Sequence, residues 1–297
     1  MQATHLLECI ALKNPVHAKY LAKLKFDSED MQEFNALLSC YAQEGVSEED
    51  LCASYLLLLE DALKQTRYFL KYGTYRYSHL KDVKAHVYDN PQYMQKYVRG
   101  IAISSYLWQQ HIGIRKHFSA YIDQIYGGGG GTYLEIGPGH GSHFLKALKS
   151  GKFAKLTGID LSPTSLDLSQ RMVASQAPDL VNRCAFVHAD FLSTNFNQKA
   201  DLIVMGEVLE HVETPLLFLE RAKDLLNPHG EVYATIPINA PMIDHIYLFK
   251  HPQEVFELIA QAGLHVKEHT YFMANDYSLE KALRFKNAIL MVLVLRA

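Results

Sequence analysis

Long apolar runs are scarce in this chain. The longest, from Ala288 to Leu295, is far too short to cross a bilayer, so no membrane association is expected. Cysteine is sparse too: Cys9, Cys40, Cys52 and Cys184 lie far apart with no C-x-x-C pair, which argues against a zinc knuckle or a disulfide scaffold. Neither charge sign dominates, since 29 Lys+Arg against 32 Asp+Glu leave a formal net charge of −3. That balance gives no electrostatic ground for nucleic acid as the main partner. Met1-Gln2-Ala3-Thr4-His5 has neither the basic start nor the apolar stretch of a secretion signal, and a reducing, cytoplasmic setting is expected. With 297 residues, 48% of them hydrophobic, there is enough chain for a proper core in one elaborated domain or two ordinary ones.

Two textures divide the chain near residue 125. Before it, helical periodicity dominates: Leu51, Tyr55, Leu58, Leu59 and Ala62 mark one apolar helix face. Ser47-Glu48-Glu49-Asp50 just upstream has the spacing of a capping box. A further helix is expected over residues 91–110, with Pro91 at its first position, and Pro15, Asp27-Ser28 and Asp89-Asn90 are expected helix breaks. The glycine run from Gly127 to Gly131 reads as a flexible connector. Beyond it, strand-like segments at 132–136, 155–159, 185–188, 201–205, 231–236, 265–271 and 287–295 alternate with helical ones at 142–149, 163–175, 215–226 and 252–262. Alternation of this kind predicts an α/β fold with a doubly wound, Rossmann-like sheet of seven strands. The last two strands are joined by a short stretch with no clear crossover helix, so the final strand should run antiparallel. The expected division is a helical domain over 1–125 and a ligand-binding α/β domain over 126–297.

Chemistry concentrates at the predicted strand ends. Leu134-Glu135-Ile136-Gly137-Pro138-Gly139-His140-Gly141 sits where the first strand meets the first α/β helix, and Gly137, Gly139 and Gly141 permit a tight turn with close backbone approach to a ligand. The spacing is G-x-G-x-G, and Glu135 precedes it by two residues. A carboxylate there would repel a pyrophosphate but attract a cation. Asp160 closes the second strand, where an acid can accept from two ribose hydroxyls. Asp190 follows the third, beside Phe191, in position to take an adenine amino group while the ring packs on the base. These acids stand at successive strand ends on one edge of the sheet.

At these residues, and at Gly206-Glu207-Val208-Leu209-Glu210-His211-Val212, the chain from 132 onward resembles the class I S-adenosylmethionine-dependent methyltransferases of small-molecule type. The resemblance implies S-adenosylmethionine as cofactor and cofactor-binding roles for Glu135, Gly137, Gly139, Gly141, Asp160, Asp190, Phe191 and Glu207. It implies nothing about the helical first 125 residues. A nicotinamide-dependent oxidoreductase is the competing enzyme class, disfavoured by the glycine spacing and by Glu135. A non-catalytic adenosylmethionine-binding scaffold is a further alternative.

If a helical turn begins at Glu207, then Glu207, Glu210 and His211 share a face at i, i+3 and i+4. His245, in Pro241-Met242-Ile243-Asp244-His245, lies on the segment after the fifth strand, at the same edge. The grouping resembles metal-dependent class I members, the plant small-RNA 2′-O-methyltransferases and the ubiquinone-pathway O-methyltransferases. That resemblance implies Glu207, Glu210, His211 and His245 as ligands of a divalent Mg, Mn, Fe or Zn ion. Metal-free members have a similar motif, which leaves His211 or His245 as a plain catalytic base. The expected reaction is O-methylation of a small-molecule acceptor, with N- and C-methylation as alternatives. Eight tyrosines fall between Tyr68 and Tyr106. They suggest a helical lid that lays Tyr93, Tyr97, Arg99 and His111 over the site, and the helical half is also a candidate homodimer surface.

Overall fold

The structure, a computed structural model, describes residues 1–125 and 129–297. Its first part is helical: α1 (Ala3–Lys13), α2 (Pro15–Leu21), α3 (Ser28–Gln43), α4 (Glu48–Tyr72), α5 (Leu80–Val83), α6 (Pro91–Leu107) and α7 (Gln109–Gln124). The breaks fall where cap chemistry places them. Asn14 accepts from the His17 amide ahead of Pro15, Asp27 and Asp30 form a capping box, and so do Ser47 and Asp50. Asn90 caps α6 ahead of Pro91. The helix expected over about 91–110 forms from Pro91 to Leu107. It stops at Leu107 because Trp108 takes an extended backbone conformation and donates its indole N–H to the Tyr55 hydroxyl (3.1 Å). One π-helical turn, Lys84–Tyr88, interrupts the chain between α5 and α6.

The second part alternates β1 (Gly131–Ile136), α8 (Ser142–Lys149), β2 (Phe153–Asp160), α9 (Pro163–Gln176), β3 (Cys184–His188), β4 (Ala200–Gly206), α10 (Pro215–Asp224), β5 (Leu226–Ile238), α11 (Pro252–Gln261), β6 (His265–Met273), α12 (Leu279–Arg284) and β7 (Ile289–Arg296). The seven strands are ordered β3-β2-β1-β4-β5-β7-β6, with β7 antiparallel to both neighbours. This is the doubly wound α/β sheet with an antiparallel final strand that the alternation predicts. A strand buried on both faces reads as an unbroken apolar run, and Ile289 to Leu295 are all buried between β5 and β6. The short α12 stands in the connection where no crossover helix was expected. Gly131 opens β1 rather than lying in a connector; Gly127 and Gly128 fall outside the described residues.

Two apolar layers enclose the sheet. On one face α10 and α11 pack through Phe218, Leu219, Val255 and Ile259. On the other, Phe144, Ala147 and Leu148 of α8 are joined by Ile114, Phe118, Tyr121 and Ile122 of α7. The helix α7 is therefore seated on the sheet although it belongs to the helical stretch. Polar ties hold it there: Tyr121 donates to Glu231 (2.7 Å), and His117 Nδ1 lies 3.1 Å from the Tyr233 hydroxyl. At its outer side Arg115 pairs with Asp30 and Glu33 of α3, and Lys116 pairs with Asp27 at 2.7 Å. The other helices share their own core, built on Phe34, Leu38, Tyr55, Ile103 and Leu107. Among the described residues no helix is long and apolar enough to cross a membrane.

Candidate active site

A cavity of about 1020 Å³ opens between the carboxyl edge of the sheet and the helical part. Small-molecule sites span about 300–1,000 Å³, so this one has room for two ligands side by side. Its floor comes from the strand ends and their loops, through Glu135, Gly137, Gly139, Asp160, Asp190, Glu207 and His211. Its roof is largely apolar and aromatic, with Tyr88, Met94, Tyr97, Val98, Ile101 and Trp108.

The glycine loop follows β1. Gly137, Gly139 and Gly141 all have positive φ (66°, 56° and 82°), and at Gly141 a Cβ would lie 3.0 Å from Ser169 Cα. Gly141→Ala should therefore cost roughly 2–4 kcal/mol, from a left-handed backbone with a side chain and from overpacking against α9. A melting curve that falls by several degrees checks this; an unchanged one refutes it. Below the loop, Glu135 is buried, and its carboxylate accepts from the Tyr133 hydroxyl at 2.5 Å. Burial pushes the Glu135 carboxyl up to about 8, against the opposing pull of that hydrogen bond. Asp160 accepts from the Ser162 amide (2.8 Å). Burial raises it to about 6, while the amides of Ser162 and Gly139 hold it down.

Asp190 lines the cavity but spends one oxygen capping its own turn, accepting from the Leu192 amide (3.0 Å). Phe191 borders the cavity from within the core. It is 3% exposed and packs on Phe218 (5.4 Å between rings), with the Arg221 guanidinium 5.2 Å from its centroid.

The expected helical turn at Glu207 is absent. Glu207 adopts a left-handed conformation (φ 56°), and a single 3-10 turn, Leu209–His211, follows. Glu210 and His211 are thereby brought to His245, with one ligand atom from each within 4.8 Å of the others. Glu207 does not belong to this group; it lines the cavity beside it. The i, i+3, i+4 face expected from sequence is thus not formed, because Glu207 is left-handed, and the clustered ligand atoms are those of Glu210, His211 and His245.

The three are arranged in detail. His245 Nδ1 lies 2.7 Å from the Ala240 carbonyl and His211 Nδ1 3.0 Å from the Asp244 carbonyl. A carbonyl can only accept, so each Nδ1 carries the proton and each Nε2 presents a lone pair. Those Nε2 atoms face Glu210 Oε1, at 3.6 Å from His211 and 3.9 Å from His245. Glu210 is fully buried, and neither of its carboxylate oxygens has a hydrogen-bond partner. Burial, with Glu207 nearby, drives its carboxyl well above the ordinary range. Burial and the neighbouring His211 lower His245 to about 3, so its ring is neutral at pH 7. An orphaned buried carboxylate facing two imidazole lone pairs, each ring oriented by a carbonyl behind it, fits a divalent cation.

Of the four residues expected to form a lid, Tyr97 and His111 reach the cavity. Tyr93 turns its hydroxyl to Asp61 (2.5 Å) and Arg99 stacks over Tyr41. Sequence reasoning assigned no role to Asp244, Tyr88, His140 or His143, all of which line the cavity. The available signals were the position of His140 inside the glycine loop and the adjacency of Asp244 to His245.

Residues 134–232, from β1 into β5, match the family described as a methyltransferase domain. Ubiquinone biosynthesis O-methyltransferases are among the relatives. That of Coxiella burnetii is 27% identical over 145 residues, 49% of this chain and 59% of the relative. That of Shewanella halifaxensis is 32% identical over 117 residues, 38% of this chain and 47% of the relative. The chain thus spans about half the length of these curated relatives. The fold is shared with mitomycin 7-O-methyltransferase at a TM-score of 0.55 and 14% identity, over 80% of this chain and 68% of that one. It is shared also with an O-methyltransferase of neocarzinostatin biosynthesis solved with S-adenosylmethionine and 2-hydroxy-5-methyl naphthoic acid. There the TM-score is 0.54 and the identity 16%, over 83% of this chain and 70% of that one. The domain match over residues 134–232, the sheet order and the glycine loop agree: that stretch is a methyltransferase domain, set in a doubly wound α/β fold shared with the O-methyltransferases above.

Proposed function

We propose that this enzyme methylates a hydroxyl oxygen of a small, largely apolar acceptor, with Glu210, His211 and His245 acting on that hydroxyl. The observation that carries the reading is the buried Glu210 carboxylate without a partner, facing the Nε2 lone pairs of His211 and His245, which line the two-ligand cavity. The names of the two relatives above, both ubiquinone biosynthesis O-methyltransferases, support it.

S-adenosylmethionine, when bound, supplies an electrophilic methyl carbon on a sulfonium leaving group. Gly137, Gly139 and Gly141 admit the cofactor close to the backbone, Glu135 attracts its cationic end, and Asp160 accepts from the ribose hydroxyls. Asp190, Phe191 and Glu207 complete that side. Residues 1–125 serve as a cap: Met94, Tyr97, Val98 and Ile101 exclude water and give the acceptor an apolar, aromatic surface. The neutral His245 ring can take the hydroxyl proton at Nε2. A divalent ion held by Glu210, His211 and His245 would occupy those Nε2 lone pairs and would, in place of the base, supply Lewis acidity that lowers the pKa of the hydroxyl.

Two measurements test the reading. Asp160→Ala should weaken cofactor binding by about 1.5–3 kcal/mol, roughly ten- to a hundredfold, in calorimetry. His245→Ala should cut methyl transfer to a panel of hydroxylated aromatics by 100-fold or more while leaving cofactor affinity within about threefold. Full activity in His245→Ala and in His211→Ala would exclude this centre. Full activity after exhaustive chelation, with both histidine variants inactive, would reduce it to base catalysis without metal.

A further inference from the structure

We propose that Tyr97 is a positioning residue that, through Asp244, holds the two-histidine centre in its working geometry and links it to the seating of the cap. The proposal rests on the reading that His211 and His245 act on the acceptor.

The segment after β5 carries half of that centre. It leaves the sheet through Asn239, which is left-handed (φ 51°), and returns at Phe249, whose carbonyl accepts from the Asn239 amide (3.0 Å). Between these points it is pinned from below, the amides of Ile246 and Tyr247 both donating to the Glu210 carbonyl (2.8 and 2.9 Å). Three carbonyl contacts then set the chemistry. Ala240 orients His245, Asp244 orients His211, and Glu210 ties the segment to the turn that bears the carboxylate. A small displacement of residues 240–246 would move both imidazole rings together.

The restraint from above comes from the helical part. Tyr97 on α6 donates its hydroxyl to Asp244 Oδ1 at 2.6 Å, a bond buried at both ends. The other carboxylate oxygen lies 3.6 Å from His211 Nδ1. Tyr97 is fixed in turn by Tyr93 one helical turn earlier. Their rings stack at 5.7 Å and 16°, and Tyr93 is tied to Asp61 on α4. Tyr75 supplies a second, weaker link, its hydroxyl accepting from the Ala240 amide (3.2 Å). Tyr88, at the end of the π-helical turn, places its hydroxyl 3.4 Å from His211 Nδ1. Among the described contacts that reach residues 240–246 or His211 from the helical part, only Tyr97 to Asp244 is a short hydrogen bond to a carboxylate, the strong kind in a water-excluded site. It therefore carries the coupling.

Histidine ring NMR of the full-length protein tests this without any acceptor. The probe is the pair of ring nitrogens in each of His211 and His245, assigned by loss of signal in His211→Gln and His245→Gln. In wild type each ring should show one tautomer, protonated at Nδ1. Tyr97→Phe should mix tautomers at both rings, while adenosylhomocysteine affinity in calorimetry stays within about twofold. Asp244→Ala should give the same spectrum, and the double variant no greater change than either single one, as expected for one shared interaction. Asp244→Asn keeps an acceptor for Tyr97 and should restore the wild-type pattern. A purely structural bond would lower the melting temperature without moving these nitrogens. Unchanged ring signals in Tyr97→Phe, or changes that add in the double variant, overturn the proposal. Failure of the histidine chemistry itself shows separately, as unchanged methyl transfer in the alanine variants of His211 and His245.

Discussion

Glu210→Met should yield a more stable protein with no useful activity. Glu210 is fully exposed to the cost of burial, since neither carboxylate oxygen has a partner and the side chain has no access to water. An unsatisfied buried polar group costs about 1–3 kcal/mol. Methionine fills nearly the same volume with no unmet acceptor. The main-chain carbonyl that receives the amides of Ile246 and Tyr247 survives the substitution. At roughly 2–4 °C per kcal/mol for a chain of this size, the melting temperature should rise by about 2–12 °C. Methyl transfer should fall by at least 100-fold, as for other groups that work directly on the reacting proton or oxygen. Such a gain in stability with loss of function is the signature of a strained functional group. A variant that is both less stable and active would show that Glu210 is a structural residue with a partner in solution.

What could be read from sequence follows a physical divide between local and non-local causes. The capping box expected at Ser47 and the helix breaks expected at Asp27 and Asn90 depend on side chains three residues from the amides they satisfy, and all three form as caps. The antiparallel β7 was legible from the short connection before it. The break at Trp108 was not, because no glycine or proline marks it and its cause is a hydrogen bond to Tyr55, far away in the chain. Glu207 is a similar case. A left-handed glutamate has no sequence mark, yet it converts the expected helix face into a turn and sets Glu207 outside the cluster of Glu210, His211 and His245. Asp244 was passed over although it adjoins His245, since its partner Tyr97 comes from the other end of the chain. The lid residues show the same limit. Tyr93 and Tyr97 lie on one face of α6, but a carboxylate on α4 captures the first and one beyond β5 captures the second.

Stability without ligand should fall as the pH rises from about 6.5 to 8, and bound S-adenosylmethionine should flatten the fall. Burial raises Glu135 from 4.5 to about 8, so the folded chain holds a proton that the unfolded chain releases near 4.5. Stability decreases with pH wherever the folded state binds more protons, here from about 4.5 to about 8. The buried histidines act in the opposite sense. His245, His111 and His143 are lowered by burial to about 3 and His140 to about 4, so they add stability as the pH rises, but only up to their unfolded value of 6.5. Above that value the raised carboxyls act alone: Glu135, Glu207, which burial and the nearby Asp244 raise to about 7, and Glu210, which burial and Glu207 hold well above the ordinary range. A cationic ligand beside Glu135 stabilises the ionised form, so binding competes with the proton. Cofactor affinity should then climb between pH 6.5 and 8, approaching tenfold per unit well below the pKa of the free protein. Glu135→Gln should remove most of that climb and weaken binding at pH 8 by about ten- to a hundredfold, the worth of a charged hydrogen bond. Its ligand-free melting temperature should be less dependent on pH than that of wild type. Calorimetry and melting curves at half-unit steps of pH, on wild type and Glu135→Gln, decide the matter. Parallel pH dependences in the two proteins would mean that Glu135 stays protonated under the cofactor and serves only as a partner for Tyr133.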